Sequence, residues 1–386
     1  MGMNMKERKP LLREAAARYQ KAADRKEKSA ILNELVGYTG MNRKYLVHVM
    51  AKGNWKAGPK ATGKRRPGGG RKPVYSAEFA AALRSIWAFF WYRCGKILVP
   101  FIRENIGFLE EPFGISAEVR KLLAEASPAT VDRVLRADKK RLALSGKCGT
   151  KPGNLLKRQV PVRVYFADAE KLPGFFEVDT VHHCGTADSG EFLLTLTATD
   201  VHSGWVELRA LLNKAQKWTM EGLCDIMKSL PFPMRGLDSD NGSEFVNRAL
   251  VKWCAEEEIQ FTRTRPYHKN DNCFVEQKNG ACVRNVVGYG RLSSQRELAA
   301  LAGVYAALCP LLNYFIPSQK LLSKTRIGAK VKKVYDKDIL SPCRRLMASE
   351  DVPAEVKAEL ARRLALYDPV ALQREVHDAL TGLGRE

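Results

Sequence analysis

Apolar and polar positions follow two periods along the chain, one helical and one extended. In "KSAILNELVGYTGMNRKYLVHVMA", residues 28–51, Ile31, Leu32, Leu35 and Val36 recur at helical spacing. "YTG" interrupts that stripe, and Tyr45, Leu46 and Val49 begin another. The pattern predicts two short helices with Gly40 at the break, either a helix-turn-helix or an ordinary helical hairpin. A second helical region spans 76–141. Its end, "ISAEVRKLLAEASPATVDRVLRADKKR", repeats the two-helix pattern, with Ser127 as a natural N-cap and Pro128 at the first helical position. The same two readings apply there, helix-turn-helix or plain bundle. The most apolar run, "IWAFFWYRCGKILVPFI", contains Arg93 and Lys96 and is too short to span a bilayer. It predicts a buried helix, and no membrane partner is expected.

From residue 175 the period becomes that of extended chain. "FFEVDTVHHCG", "EFLLTLTATDVHSG" and "WVELRALL" are rich in β-formers and separated by hairpin-length gaps, which predicts an antiparallel meander. "KAQKWTMEGLCDIMKSL" carries a helical stripe, "MRGLDSD" is a short strand ending at an Asn-Gly turn, and "SEFVNRALVKWCAEEE" is a helix. "IQFTRTRP" is a strand, followed by the polar loop "YHKNDN" and a helix from about 273 to 288. The order βββ-α-β-α-β-α predicts a mixed five-stranded sheet, and the ribonuclease-H-like α/β fold is the prominent one with that order.

Charge adds a direction to this layout. The formal net charge is +22, unevenly distributed: +14 over residues 1–75, +6 over 76–170, −2 over 171–291 and +4 in the remainder. A basic front and a slightly acidic middle suit a polyanion bound by one part and processed by another. "KAGPKATGKRRPGGGRKP", 56–73, holds Lys64, Arg65 and Arg66 among Gly and Pro and is expected to be a linker, either a DNA-tracking arm or a solvated spacer. Nine cysteines without a C-x-x-C pair argue against a disulfide framework and for a reducing cytoplasm. The opening "MGMNMKERKP" does not read as a signal peptide.

Three carboxylates fall at comparable places in this order. Asp179 lies midway along the first strand, Asp240 ends the fourth, and Glu276 opens the helix after the fifth. If strands one and four are neighbours and that helix packs beside them, the three converge at one sheet edge. Clustered carboxylates need cations, and hard oxygen ligands suit Mg²⁺ or Mn²⁺. Two such ions per active site can serve an in-line phosphodiester displacement. Asp238 shares a strand face with Asp240, one step deeper in the strand. Asp200, at a strand end, and Asp271, in the polar loop, read as turn or capping residues. His182, His183 and Cys184 are consecutive on a strand and point to alternate faces, which argues against zinc. His183 shares the face of Asp179 and is a candidate neighbour of a substrate phosphate.

Residues 175–290 resemble the catalytic core of the DDE transposase and retroviral integrase superfamily. The resemblance is carried by "EVDTVHH", "DVHSGW", "SDNGSEF" and "RPYHKNDNCFVEQKN", with 35 residues between Asp240 and Glu276. The flanks "SPATVDRVL", "TKPGNLLKRQVPVR" and "LNYFIPSQKLLSKTR" resemble those of bacterial insertion-sequence transposases. The resemblance implies that Asp179, Asp240 and Glu276 form the metal-binding catalytic triad, and that the protein cleaves element ends and transfers strands. It departs from integrases that carry an HHCC zinc module, since His48 is the only histidine before His182. End recognition then falls to the helical modules.

The expected organisation is multidomain α+β. A helix-turn-helix module (1–55), the basic linker (56–75), a second helical module (76–145) and a connector (146–170) precede the ribonuclease-H-like core (171–292). A mainly helical C-terminal region (293–386) follows, for DNA binding or assembly. Expected DNA contacts are Asn42, Arg43, Lys44, the three linker cations, Arg133, Arg136, Lys278 and Arg284. Partners are double-stranded DNA, both terminal repeats and target, and further copies of the chain, at least a dimer during joining, in a bacterial cytoplasm at the nucleoid. Two alternatives stand beside this: a nuclease of the same fold without strand transfer, and a non-catalytic DNA-binding regulator derived from a transposase.

Overall fold

The computed structural model describes residues 5–51, 74–142, 172–187, 189–239, 242, 245, 247–263, 273–327 and 330–384. Two compact units emerge, Met1–Pro73 and Val74–Glu386. In the first, helices α1 (Met5–Lys21), α2 (Arg25–Thr39) and α3 (Arg43–Ala51) close around Leu12, Ile31, Leu32, Leu35, Leu46 and Met50. Asp24 caps α2 by accepting the Glu27 amide at 2.8 Å. Gly40 ends α2 in the left-handed region (φ 63°), where a side chain would be strained. Tyr45 does not share the buried stripe of α3: it is exposed, and Leu46 and Met50 form the inner face.

The second unit begins with α4 (Ala77–Phe89), α5 (Gly95–Leu109), α6 (Ala117–Glu125), α7 (Pro128–Val134) and α8 (Arg136–Arg141). The apolar run expected to be one helix is broken here. Trp91 and Tyr92 take φ of 54° and 57°, the Trp87 indole donates to the Arg93 carbonyl at 3.0 Å, and α5 starts afresh at Gly95. Gly95 fits because a Cβ there would stand 2.4 Å from the Pro128 carbonyl oxygen, so α5 and α7 pack backbone to backbone.

The sheet follows the expected order. β1 (Phe175–His182), β2 (Leu194–Asp200) and β3 (Val206–Leu211) form the antiparallel meander. After α9 (Gln216–Ser229), β4 (Gly236–Ser239) joins β1 in parallel; after α10 (Arg248–Glu256), β5 (Gln260–Arg263) joins β4 in parallel. The spatial order β3-β2-β1-β4-β5 is that of a ribonuclease-H-like core. Gly174 (φ 111°) knots it together: its carbonyl accepts the Arg235 and Gly236 amides, and its own amide donates to Asp200 Oδ1 at 2.8 Å. These bonds set the starting register of β4 against β1.

A helix runs on from α11 (Cys273–Lys278) through a π-helical segment (Asn279–Arg284) into α12 (Asn285–Val287). α13 (Gln295–Pro310) continues as π-helix to Phe315, long and apolar enough to cross a membrane by length and composition, yet mostly buried against β3 and α16 (Pro369–Gly382). Between them come β6 (Leu321–Ile327), β7 (Lys330–Tyr335), α14 (Pro342–Ala348) and α15 (Ala354–Leu364). The C-terminal region is mainly helical, as expected, with the β6–β7 ribbon set within it. The helical region after Val74, the sheet and the C-terminal helices form one unit rather than separate segments. The Phe89 and Trp91 rings meet His377 of α16, and Arg344 of α14 pairs with Glu104 of α5 at 2.8 Å.

Candidate active site

β1 leaves the core as it runs. Phe175 to Val178 are buried, whereas Asp179 and Thr180 are half-buried. Asp179 Oδ1 accepts the Thr180 amide at 2.8 Å, and Oδ2 accepts Asn279 Nδ2 at 2.7 Å. Asn279 stands three residues beyond Glu276, so this bond turns the Glu276-bearing side of the helix towards β1. Glu276 itself is exposed.

A second grip holds the start of the same helix. Glu177 is 1% exposed, and its Oε2 accepts the Phe274 and Val275 amides at 2.9 and 3.1 Å. Those amides belong to the first helical turn, which has no carbonyl of its own to bond, and a carboxylate there complements the helix dipole. Glu177 and Asp179 lie two apart on one face of β1. One strand therefore fixes the helix start and, one turn on, the position of Asn279. Glu177 does not stand out in the sequence; the available signal was an acidic residue directly after Phe175 and Phe176 and before Val178, in the apolar half of the strand.

The register explains the neighbouring acid. Glu177 pairs with Asp238, and Asp238 with Thr262, in adjacent parallel strands. Asp238 is fully buried and accepts the Thr262 hydroxyl at 2.5 Å. Val178 pairs with Ser239, the residues that directly precede Asp179 and Asp240 in sequence. Asp240 lies outside the described residues, as do Asn241 and Asp271.

Two further groups have structural roles. Asp200 is buried and accepts the Gly174 and Ser203 amides and the Ser203 hydroxyl. Burial pushes its pKa up, and those donors oppose the shift. His183 is not beside a substrate position. It is fully buried past the end of β1, with Nε2 2.7 Å from the Thr195 hydroxyl, which in turn pairs with the Tyr305 hydroxyl of α13. α13 covers that part of the sheet through Tyr305.

The basic candidates separate by environment. Asn42 and Lys44 are exposed at the start of α3, where Asn42 Oδ1 accepts the Lys44 amide. Arg43 turns back onto α2, donating to Asn33 Oδ1 at 3.1 Å and Ser29 Oγ at 2.7 Å, so its fork is already engaged. Arg133 and Arg136 are exposed. Lys64, Arg65 and Arg66 lie outside the described residues. Arg284 donates to the His182 carbonyl at 2.8 Å and stacks over Tyr289, bracing β1. Lys278 is half-buried behind the helix rather than on the Glu276 side.

This sheet, with an acidic residue on its central strand and an acid-bearing helix bonded to it, belongs to a known class: residues 170–269 match the family model described as "Integrase core domain". The uncharacterized protein y4rM of Sinorhizobium fredii (strain NBRC 101917 / NGR234) is 36% identical over 344 residues, covering 86% of this chain and 93% of that protein. The chain belongs to the family of y4rM, within the DDE-type integrase and transposase superfamily. Similar solved structures include the HTLV-2 integrase catalytic core domain in complex with magnesium (16% identity, 39% of this chain and 94% of that one, TM-score 0.30). Another is a simian T-cell lymphotropic virus intasome in complex with PP2A regulatory subunit B56 gamma (15% identity, 57% and 70%, TM-score 0.31).

Proposed function

We propose that this protein is a DNA transposase that binds the ends of a mobile element, cleaves them and joins them to target DNA. The observation that carries the reading is the Asn279–Asp179 bond, which sets the Glu276 helix against the strand of Asp179. The family supports an integrase-type enzyme.

The triad is Asp179, Asp240 and Glu276, an oxygen-only donor set that suits two Mg²⁺ or Mn²⁺ ions. A half-buried Asp179 and an exposed Glu276 fit that role, because each is open to solvent and ligand. Bound divalent ions would supply charge neutralisation and activation of the attacking oxygen. The chain's own residues then hold the donors in place. Asn279 fixes the orientation of the Asp179 carboxylate, and Glu177 fixes the first turn of the Glu276 helix. Strongly positive segments draw the DNA in, with Asn42, Lys44, Arg133 and Arg136 presenting exposed polar groups to it. Joining two ends to one target calls for at least two copies, acting at the bacterial nucleoid.

The test is strand transfer of element-end duplexes into a plasmid with Mg²⁺. The wild type is expected to give integration products, and Asp179→Asn, Asp240→Asn and Glu276→Gln to give none. Cleavage without joining would instead assign a nuclease, and sequence-specific binding without any cleavage a regulator.

A further inference from the structure

Behind the helix that carries Glu276 lies a cavity of about 280 Å³. Its walls come from the α4–α5 turn, the β2–β3 turn, the α11 helix and the segment leading into β6, and include Arg93, Lys278 and Arg345. Lys320 and the neutral polar groups Gln277, Ser318 and Gln319 also line it, and no Asp or Glu does. Among the described residues no carboxylate acts on Lys278 or Arg93. Arg345 is 9% exposed; its two terminal nitrogens donate to the Ser203, Ser318 and Leu340 carbonyls, while its Nε is buried without a partner. The Nε of Arg93 is in the same state.

Burial lowers the pKa of all three cations, and Arg345 and Arg93 lower that of Lys278 further. Asp336 and, less strongly, Asp200 offset the charge of Arg345, and Asp200 is also held by the Gly174 and Ser203 donors. Cations that converge on a cavity, one buried and two half-buried, are costly unless a counter-charge with several acceptors joins them. Arg and Lys nitrogens of this kind are the standard partners of phosphate oxygens.

We propose that this cavity is a phosphate-binding pocket, filled by a free polyphosphate or by a phosphate of a nucleic-acid strand. Its volume falls just below the usual range for small-molecule sites, about 300–1,000 Å³, so it takes a phosphoryl or diphosphoryl group rather than a whole nucleotide. Phe274, Gln277 and Lys278 belong to both the cavity wall and the Glu276 helix, so a bound phosphate braces that helix from behind. The pocket rests on its cations and not on the transposase reading.

The experiment uses the full chain with pyrophosphate as probe, against sodium chloride at equal ionic strength. Titration calorimetry is expected to show a single pyrophosphate per chain at this pocket, and saturating pyrophosphate to raise the melting temperature by roughly 2 °C or more. Lys278→Met and Arg93→Gln are each expected to lose that shift. Lys278→Met without ligand is expected to melt no lower than the wild type, since it removes an unpaired buried charge. No binding to the wild type, or an equal shift in both variants, overturns the proposal. Displacement of pyrophosphate by a 5′-phosphorylated duplex, but not by its 5′-hydroxyl counterpart, assigns the pocket to strand phosphates; no displacement by either assigns it to a free polyphosphate. Because the pyrophosphate arm contains no DNA, failure of the pocket and failure of the transposase reading give different results.

Discussion

Replacing Glu177 by alanine removes the acceptor that holds the first turn of the Glu276 helix. Two amides, Phe274 at 2.9 Å and Val275 at 3.1 Å, lose their common partner, and Val275 is fully buried. Hydrogen bonds to a charged group contribute about 1.5–3 kcal/mol each and do not add fully, so about 3 kcal/mol is a fair figure for the pair. If that energy holds the helix in its docked position, its loss lowers strand transfer by about 10²-fold, at 1.36 kcal/mol per tenfold. Glu177→Gln keeps an acceptor oxygen and loses the charge, which costs about 1 kcal/mol and about fivefold in rate. The assay is single-turnover strand transfer, with duplex binding followed in parallel by fluorescence anisotropy. Binding should hold while the rate falls in the order wild type, Gln, Ala. An alanine variant within about threefold of the wild-type rate would refute the positioning role. So would a glutamine variant as slow as alanine with its fold intact, because the amides would then not be what matters.

Asp238→Asn preserves a partner for the Thr262 hydroxyl and should lower stability by about 1–2 kcal/mol while keeping measurable strand transfer, unlike Asp240→Asn. Equal loss of activity from both would mean the two aspartates were divided wrongly. Asn279→Leu takes the donor from Asp179 Oδ2 and should slow strand transfer about tenfold without altering duplex affinity; an unchanged rate would count against the role given to that bond. Burial beside Phe89 and Trp91 lowers the pKa of His377 below its ordinary 6.5, with Asp378 opposing. The unfolded chain then binds the proton more readily, so stability present above pH 6.5 is lost as pH falls through the lowered folded value. Melting scans at about pH 7.5 and about pH 5.5 should show a larger drop for the wild type than for His377→Leu, and equal drops would contradict this.

Local pattern carried much of this protein. The period-2 runs around Asp179 and Thr197 and the helical stripes that follow the meander set the order of strands and helices, because alternation and 3.6-residue spacing are properties of neighbours in sequence. The same runs placed Asp179 on the central strand and Glu276 on a helix beside it; the part given to Asp240 rests on sequence alone, since it lies outside the described residues. Periodicity misled where backbone geometry changed locally. In the helix expected from about 273 to 288, the π-helical segment from Asn279 shifts the register, burying Val283 and sending Arg284 to the His182 carbonyl. The break at Trp91 and Tyr92 likewise comes from the approach of α5 to α7.

Other roles belong to contacts between distant segments. Glu177 meets residues 97 and 98 positions away, His183 is covered by a helix more than a hundred residues on, and Lys278 faces Arg93 and Arg345 from two other parts of the chain. The sequence by itself determined the class of fold and the spacing of its acids, since both are written in local order. Only the tertiary structure decided which buried charges hold the helix, which residues face solvent, and where unpaired cations gather, because each depends on what a distant segment places opposite them.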